Sequence, residues 1–390
     1  MSGDRTLRVA MVGRGFMGAA HSQGWRTAPH FFDLPAQVEM AVVVGRDPAG
    51  TEAAREKYGW QEASTDWRTT IARDDIDIVD VCVPGDLHSE VSIAALEAGK
   101  HVLCEKPLAN TVAEAEAMVA AADTAAARGV KAMVGFTYRR VPAVQLAQQL
   151  IASGALGEIR EGRAVYLQDW LSDPEAPMTW RMDKAAAGSG ALGDLGAHIV
   201  DMTQFLTGQR VERVAGTTRT FTTERPLLTS NVGLSGTAST TERGQVTVDD
   251  AALFLGALSG GGLMTFEATR VAPGRKNGLR VELNGTKGSL VFDLEDLNVL
   301  SYYDASDGTE AGFRRILVTE PTHPYVGAWW PPGHMLGYEH GFSHQVVDLV
   351  RAIATDGEVT PTFADGLSVQ RVLDAVERSS ADDARWTDAQ

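Results

Sequence analysis

Two cysteines in 390 residues, Cys82 and Cys104, are too few for a disulfide scaffold. Each lies inside a Val/Leu-rich run that reads as a buried strand, so both are expected to be reduced core thiols rather than a bridge. No apolar run approaches the roughly 20 residues that a spanning helix needs. The opening stretch MSGDRTLRVAMVG has no charged-then-apolar leader with a cleavage site, and the expected location is cytoplasmic. Basic residues are also scarce: 35 Lys and Arg stand against 51 Asp and Glu, a formal charge of −16 that repels a phosphate backbone or an anionic membrane on average. Neither nucleic acid nor membrane is an expected partner. There is no internal repeat and no low-complexity tract; the Ser/Thr/Gly-rich stretch Thr229–Gly244 reads as a mobile loop.

What is present fits an ordinary globular chain, with 44% hydrophobic and 22% charged residues and length enough for two cores. In the first third, apolar β-branched runs at Leu7–Val12, Val38–Val44, Ile76–Val83, His101–Cys104 and Val130–Phe136 predict strands. Ala-rich amphipathic stretches at Gly18–Arg26, Ala49–Tyr58, Ser89–Ala98 and Thr111–Arg128 predict the helices between them. Strand and helix in alternation with short loops predict a doubly wound parallel sheet, a Rossmann-type α/β domain whose ligand crevice lies at the carboxyl ends of its strands. After a predicted helix at Val144–Ala152 the pattern changes to longer alternating strands: Glu158–Leu167, Glu212–Phe221, Ala251–Leu258, Leu263–Thr269, Leu279–Asn284 and Ser289–Asp293. Helices are expected at Gly193–Thr207, Gly341–Ala354 and Gly366–Ser379, making this half an α+β domain with an open, largely antiparallel sheet. The expected domains are residues 1–138 for a dinucleotide and residues 139–390 for substrate and oligomerisation.

Gly13-Arg14-Gly15-Phe16-Met17-Gly18 follows the first strand and opens the first helix, so glycines stand where a pyrophosphate has to approach bare backbone amides. That context makes NAD or NADP the expected cofactor. The second strand ends Val44-Gly45-Arg46-Asp47, with glycine where an acid that binds a free ribose 2′-hydroxyl normally stands. Arg46 could pair with a 2′-phosphate or stack on adenine, and Asp47 could reach the ribose; the reading leans towards NADP being accepted. The segment Thr27–Gln37, with Pro29, Phe31, Phe32 and Pro35, reads as a long apolar link to the second strand.

Two further clusters carry chemistry. Glu105-Lys106-Pro107 sits directly after the strand His101–Cys104, where the lysine could hydrogen-bond a substrate hydroxyl and the proline ends the ladder. The second is a glycine-rich helix entry, Gly190 to Asp201, in which Asp194, His198 and Asp201 project from one helical face. An imidazole there could take a hydroxyl proton while a carboxylate fixes its tautomer, and the alcohol carbon would then release hydride to a nicotinamide. The plainer alternative is that Asp194 caps the helix and His198 is a satisfied interior histidine. No Cys/His grouping has zinc spacing and hydride transfer needs no metal, so none is expected.

Taken together, GRGFMG, Pro84 with His88, EKPLA, FTYRR, YLQDW, WR and GDLGAHIVD are similar to the Gfo/Idh/MocA family of sugar and cyclitol oxidoreductases over nearly the whole chain. The resemblance implies that Lys106 matches the catalytic lysine, Asp194 the catalytic aspartate and His198 the general acid/base. It places Gly13, Gly15, Phe16, Met17, Gly18, Arg46, Asp47, Pro84, His88, Glu105 and Lys106 on the cofactor side. The chain departs from the usual pattern at Gly85 and Thr137, where many relatives have asparagine. Within the family, Pro29–Pro35, Tyr166–Trp170 and the Trp180-Arg181…Lys184 run resemble the levoglucosan dehydrogenase-like branch, whose members oxidise the C3 hydroxyl of glucosides. That implies Tyr138, Gln168, Asp169 and Arg181 as polar groups for sugar hydroxyls, alongside Asp194 and His198, with Trp170 or Trp180 under the ring. The expected activity is oxidation of a secondary hydroxyl to a keto-sugar by a homo-oligomer. Inositol oxidation, glycoside cleavage through transient oxidation and elimination, and non-catalytic sensing are the alternatives.

Overall fold

The computed structural model describes residues 5–232 and 235–390, and the chain divides into two compact units. The first comprises the residues up to Thr137 together with Gly337–Leu367; the second comprises Tyr138–Leu336 and Ser368–Gln390.

The first unit is built on a six-stranded parallel sheet: β1 (Thr6–Val12), β2 (Gln37–Val44), β3 (Glu62–Ser64), β4 (Ile78–Val81), β5 (His101–Cys104) and β6 (Ala132–Val134). Their order, β3-β2-β1-β4-β5-β6, reverses between β1 and β4, the switch point that opens a ligand crevice at the strands' carboxyl ends. All four residues of β4 and of β5 are buried, as expected for central parallel strands covered on both faces. The helices α1 (Phe16–Phe31), α2 (Pro48–Tyr58), α3 (Trp67–Ile71), α4 (His88–Glu97) and α5 (Val112–Ala126) connect them. Local sequence sets their ends: Asp47 caps α2 with Pro48 at its first position, and Thr111 with Glu114 forms a capping box on α5.

Two expectations change here. The link expected over Thr27–Gln37 is helical as far as Phe31, with Pro29 inside the last turn of α1. Of the two cysteines, both free, Cys104 is buried in β5, while Cys82 lies just beyond β4 and is partly exposed.

The second unit carries α6 (Pro142–Ala152), β7 (Ile159–Leu167), α7 (Lys184–Ala187), α8 (Ala197–Thr207), β8 (Val211–Arg219), β9 (Glu224–Val232), β10 (Ser235–Gln245), β11 (Ala251–Leu258), β12 (Leu263–Thr269), β13 (Gly278–Gly285), β14 (Gly288–Asp293), β15 (Val299–Asp304) and β16 (Arg314–Leu317). The chain continues through α9 (His340–Thr355), which lies in the first unit, α10 (Phe363–Ala381) and β17 (Thr387–Asp388). Nine strands form one sheet in the order β16-β15-β14-β13-β7-β12-β11-β8-β17, antiparallel throughout except for the β7–β12 pair. Alternation along β11 from Ala252 onward buries Ala252, Phe254 and Gly256 and leaves Leu253 and Leu255 exposed.

The stretch expected as a mobile loop, Thr229–Gly244, falls largely within β9 and β10, which pair as an antiparallel ribbon; its residues 233 and 234 lie outside the described residues. The ribbon is anchored by the buried Arg225, whose guanidinium donates to the carbonyls of Leu171 at 2.8 Å and Asp173 at 2.7 Å, and by the Arg243–Glu175 ion pair. No helix among the described residues is long and apolar enough to cross a membrane.

Candidate active site

The glycine turn after β1 separates into two kinds of glycine. Gly13 has φ +110° and a Cβ there would meet the Cys82 carbonyl oxygen at 2.3 Å, while a Cβ on Gly18 would meet the Gly13 oxygen at 2.3 Å. Packing within the chain accounts for both. Gly15 is different, because a Cβ there meets nothing within 4 Å, so the bare backbone faces open space that a side chain would fill. Gly15 is also the N-cap of α1, offers no side-chain cap, and is followed by no acid in the first turn. The unsatisfied amides and the positive end of the helix dipole thus face a cleared cradle, which fits a dinucleotide pyrophosphate. Phe16 and Met17 form the first turn, with the Phe16 ring stacked on Tyr338 at 6.5 Å.

At the end of β2, Asp47 is already engaged: its carboxylate accepts from Gly50 N at 2.8 Å as the α2 cap and from Arg14 at 3.2 Å. Arg46 is exposed.

The ends of β4 and β5 are joined by buried polar groups. His88, 2% exposed, places Nδ1 2.9 Å from the Pro107 carbonyl and Nε2 2.9 Å from the Val83 carbonyl, bracketing Pro84 and Lys106 from behind. Only the imidazolium donates to both. Burial opposes that charge, but the Cys104 sulfur and the two carbonyls outweigh it and raise the pKa to about 9. A folded-state pKa above the unfolded value means that the stabilisation is fully present below about pH 6.5 and is lost as the pH rises through about 9. The margin of stability of the native chain over His88→Gln is therefore expected to shrink by about 3 kcal/mol between pH 6 and pH 10, measured by urea denaturation. A constant margin would contradict the charged state.

Beside it, Glu105 is buried and accepts from the Lys106 backbone amide at 3.2 Å, while His21 Nε2 lies 2.8 Å from its other oxygen. His21 Nδ1 lies 2.9 Å from Asp80, which also accepts from Trp25 Nε1 at 2.6 Å and from the Cys82 thiol at 3.5 Å. Burial opposes the imidazolium of His21, but Asp80 and Cys82 hold its pKa well above the ordinary range. His21, Asp80 and Cys82 also bring ligand-type atoms within 4.8 Å of one another, a grouping that sequence spacing did not reveal. Both imidazole nitrogens face carboxylate oxygens at hydrogen-bond distance, so protons satisfy the cluster. The available signal was Asp80 itself, an acid in the middle of the apolar strand Ile78–Val81, since a buried carboxylate requires partners.

In the second unit the helix entry begins as a π-helical turn, Leu192–Gly196, before α8, a distortion that recurs at functional sites. Its cap is Asp249, whose oxygens accept from Gly190 N at 2.7 Å and Leu192 N at 2.8 Å; Asp194 is not the cap. Across residues 191–200 every residue is buried except Asp194 and His198. The His198 ring is bracketed by Tyr138, with centroids at 4.7 Å, and by Tyr166 at 5.7 Å, and the two tyrosine hydroxyls are 2.9 Å apart. Arg270, fully buried, lies 3.8 Å from the Asp194 carboxylate and donates to the Asp249 carbonyl. Burial and Arg270 lower the pKa of Arg181, against Asp194, which raises it. Asp201, expected on the same face, turns away to a buried bidentate pair with Arg139 at 2.5 and 2.9 Å.

The remaining residues expected to face a sugar lie beyond β7. Gln168 uses both ends of its amide, donating to Asn277 at 2.8 Å and accepting from Trp170 Nε1 at 2.9 Å, while Tyr166 donates to Asn277 at 2.7 Å. Asp169 is held by Lys276 at 2.6 Å and by Gly274 N at 3.1 Å. Trp170 and Trp180 are exposed, with guanidinium groups over their rings: Arg270 at 5.6 Å and Arg181 at 4.5 Å. Arg270, Asp249, Asn277 and Lys276 were not identified from sequence, because each is far from the motif it supports.

The first unit's β-α-β core, residues 7–136, matches the oxidoreductase family with an NAD-binding Rossmann fold, and residues 144–291 match the GFO/IDH/MocA C-terminal domain. The chain is 40% identical to levoglucosan dehydrogenase of Pseudarthrobacter phenanthrenivorans over 388 residues, 98% of each chain. An oxidoreductase domain protein from Kribbella flavida aligns at TM-score 0.94 and 61% identity, covering 99% of this chain and all of that one. A levoglucosan dehydrogenase solved with NADH and levoglucosan aligns at TM-score 0.92 and 40% identity, covering 99% and 100%. The glycine cradle, the parallel sheet with its switch point and the mixed second sheet thus have one common origin: the chain belongs to the Gfo/Idh/MocA family of NAD-dependent oxidoreductases.

Proposed function

We propose that the chain oxidises a secondary hydroxyl, that at C3, of a sugar, anhydrosugar or glycoside and yields the keto-sugar. The observation that carries this reading is the Asp194–His198 pair, the sole partly exposed groups in an otherwise buried turn, set against two tyrosines. The similarity to a levoglucosan dehydrogenase solved in complex with NADH and levoglucosan makes an anhydrosugar the first substrate to try.

In this reading His198 takes the hydroxyl proton and Asp194, its charge compensated by Arg270, orients the imidazole. Lys106 is assigned as a hydrogen-bond donor to a substrate hydroxyl oxygen as negative charge develops on it. Bound NAD supplies the hydride acceptor. The chain's contribution to binding it is the Gly13–Gly18 turn with Phe16 and Met17, and the strand-end residues Pro84, Glu105 and, through its backbone alone, Lys106; His88 acts through the loops it ties together. Tyr138, Gln168, Asp169, Trp170 and Arg181 form the sugar-facing set, with Gln168 fixing the indole of Trp170 and Lys276 fixing Asp169. Residues 1–138 serve the nucleotide and residues 139–390 the sugar, except that the segment Gly337–Leu367 belongs to the first unit. The exposed Leu253, Leu255 and Leu263 on one face of the nine-stranded sheet support assembly with further copies through that sheet, in the cytoplasm.

The test is to follow nicotinamide reduction with NAD and with NADP across levoglucosan, monosaccharides, alkyl glucosides and inositols. Reduction with an anhydrosugar or glucoside, and recovery of the keto-sugar, is expected. Release of an aglycone without net reduced nucleotide, preference for inositols, or binding without turnover would each overturn the reading. A large preference for NADP would assign Arg46 to a 2′-phosphate, and a large preference for NAD would remove that role.

A further inference from the structure

We infer that His21 is a positioning residue for Lys106, acting through Glu105. This rests on the reading of Lys106 as catalytic and extends it to a buried group outside the nucleotide and sugar sites. The observation is a linear relay inside the first unit: Asp80, His21, Glu105 and the Lys106 amide are joined at 2.9, 2.8 and 3.2 Å. His21 comes from α1, Asp80 from β4 and Glu105 from the residue after β5, so the relay ties three elements together at one level of the sheet.

Three ionisable side chains buried together are costly unless each charge is compensated. Each of the two carboxyl groups faces one nitrogen of the same imidazole at hydrogen-bond distance, and the fourth partner, Trp25, adds a donor to Asp80. The relay holds two protons on either description, as an imidazolium between two carboxylates or as a neutral imidazole beside one protonated carboxyl group. In both, one Glu105 oxygen is committed to His21 and the other to the Lys106 amide. The space around Glu105 is closed as well: a Cβ on Gly135 would meet its Oε1 at 2.7 Å. A carboxylate confined this way transmits the place of His21 to the backbone of Lys106. Displacing the lysine by about 1 Å would cost a large factor in rate while leaving the glycine cradle untouched.

The two ring nitrogens can be mimicked separately, because a glutamine amide reaches the position of Nε2 and an asparagine amide that of Nδ1. His21→Asn keeps the bond towards Asp80 and loses the bond to Glu105; His21→Gln does the reverse. With levoglucosan and NAD, His21→Asn is expected to lower kcat by about 10–100-fold with NADH affinity unchanged, and His21→Gln to restore kcat to within about fivefold. The second readout needs no turnover. The chain has seven lysines, so selective 15N-lysine labelling yields a sparse spectrum in which the Lys106 amide signal is identified by its loss in Lys106→Arg. That signal should move in His21→Asn and stay near its native position in His21→Gln. Equal loss of kcat in both variants, or a Lys106 signal unmoved in His21→Asn, overturns the inference. Glu105→Gln tests the same link if His21→Asn does not fold: the Lys106 signal moves and kcat falls, and no change in either overturns it. Full turnover in Lys106→Ala would instead defeat the reading of Lys106 as catalytic, and would leave the amide signals as they are.

Discussion

Lys106→Ala is expected to lower kcat by about 10²–10³-fold while NADH still binds with near-native affinity, the cost of removing one donor from an oxygen that gains negative charge during hydride departure. The separation of the two effects follows from where the groups lie. The pyrophosphate cradle is backbone at Gly13–Gly18, and nothing in it uses the lysine side chain. Steady-state reduction of NAD, with NADH affinity from fluorescence titration, measures both. Native turnover would remove Lys106 from the chemistry, and loss of NADH binding in step with kcat would make it a nucleotide ligand only.

His198→Asn is expected to lower kcat by about 10²–10⁴-fold, the usual contribution of a general base, again with NADH affinity preserved. Stability should be little changed, since His198 is partly exposed and sits in a ring cluster that Tyr138 and Tyr166 maintain through their own hydrogen bond. If His198 were only a satisfied interior histidine, the pattern would invert, with a lowered denaturation midpoint and native kcat per folded molecule. Asp194→Asn tests the charge: loss of the carboxylate removes the counter-charge that lies 3.8 Å from the buried Arg270 guanidinium, so stability and rate fall together.

The local parts of this molecule were readable from sequence because their determinants are local. The strand His101–Cys104 and the strands Ala251–Leu258 and Leu263–Thr269 have the predicted bounds, since four to eight apolar or alternating residues between turn formers leave few other solutions. The glycine turn was legible for the same reason. Elements whose stability comes from distant partners were not. The ribbon β9–β10 has the composition of a loop, and Arg225 holds it through carbonyls some fifty positions earlier. The short strands β3 and β16 carry too few residues, or too much charge, for a periodic signal. Asp249 caps the π-helical turn from 59 residues away, and Asp80 reaches His21 across 59. Such pairs become visible only when the sheet has brought them together. Asp201 shows the converse: helical spacing placed it with Asp194 and His198, and a buried arginine claimed it instead.

The most direct measurement uses levoglucosan deuterated at C3 alone, incubated with NAD, with mass analysis of the reduced nucleotide. The account predicts NADH carrying one deuterium, alongside a 3-keto product. Unlabelled NADH, or label retained in a sugar that has nonetheless been oxidised, would contradict it.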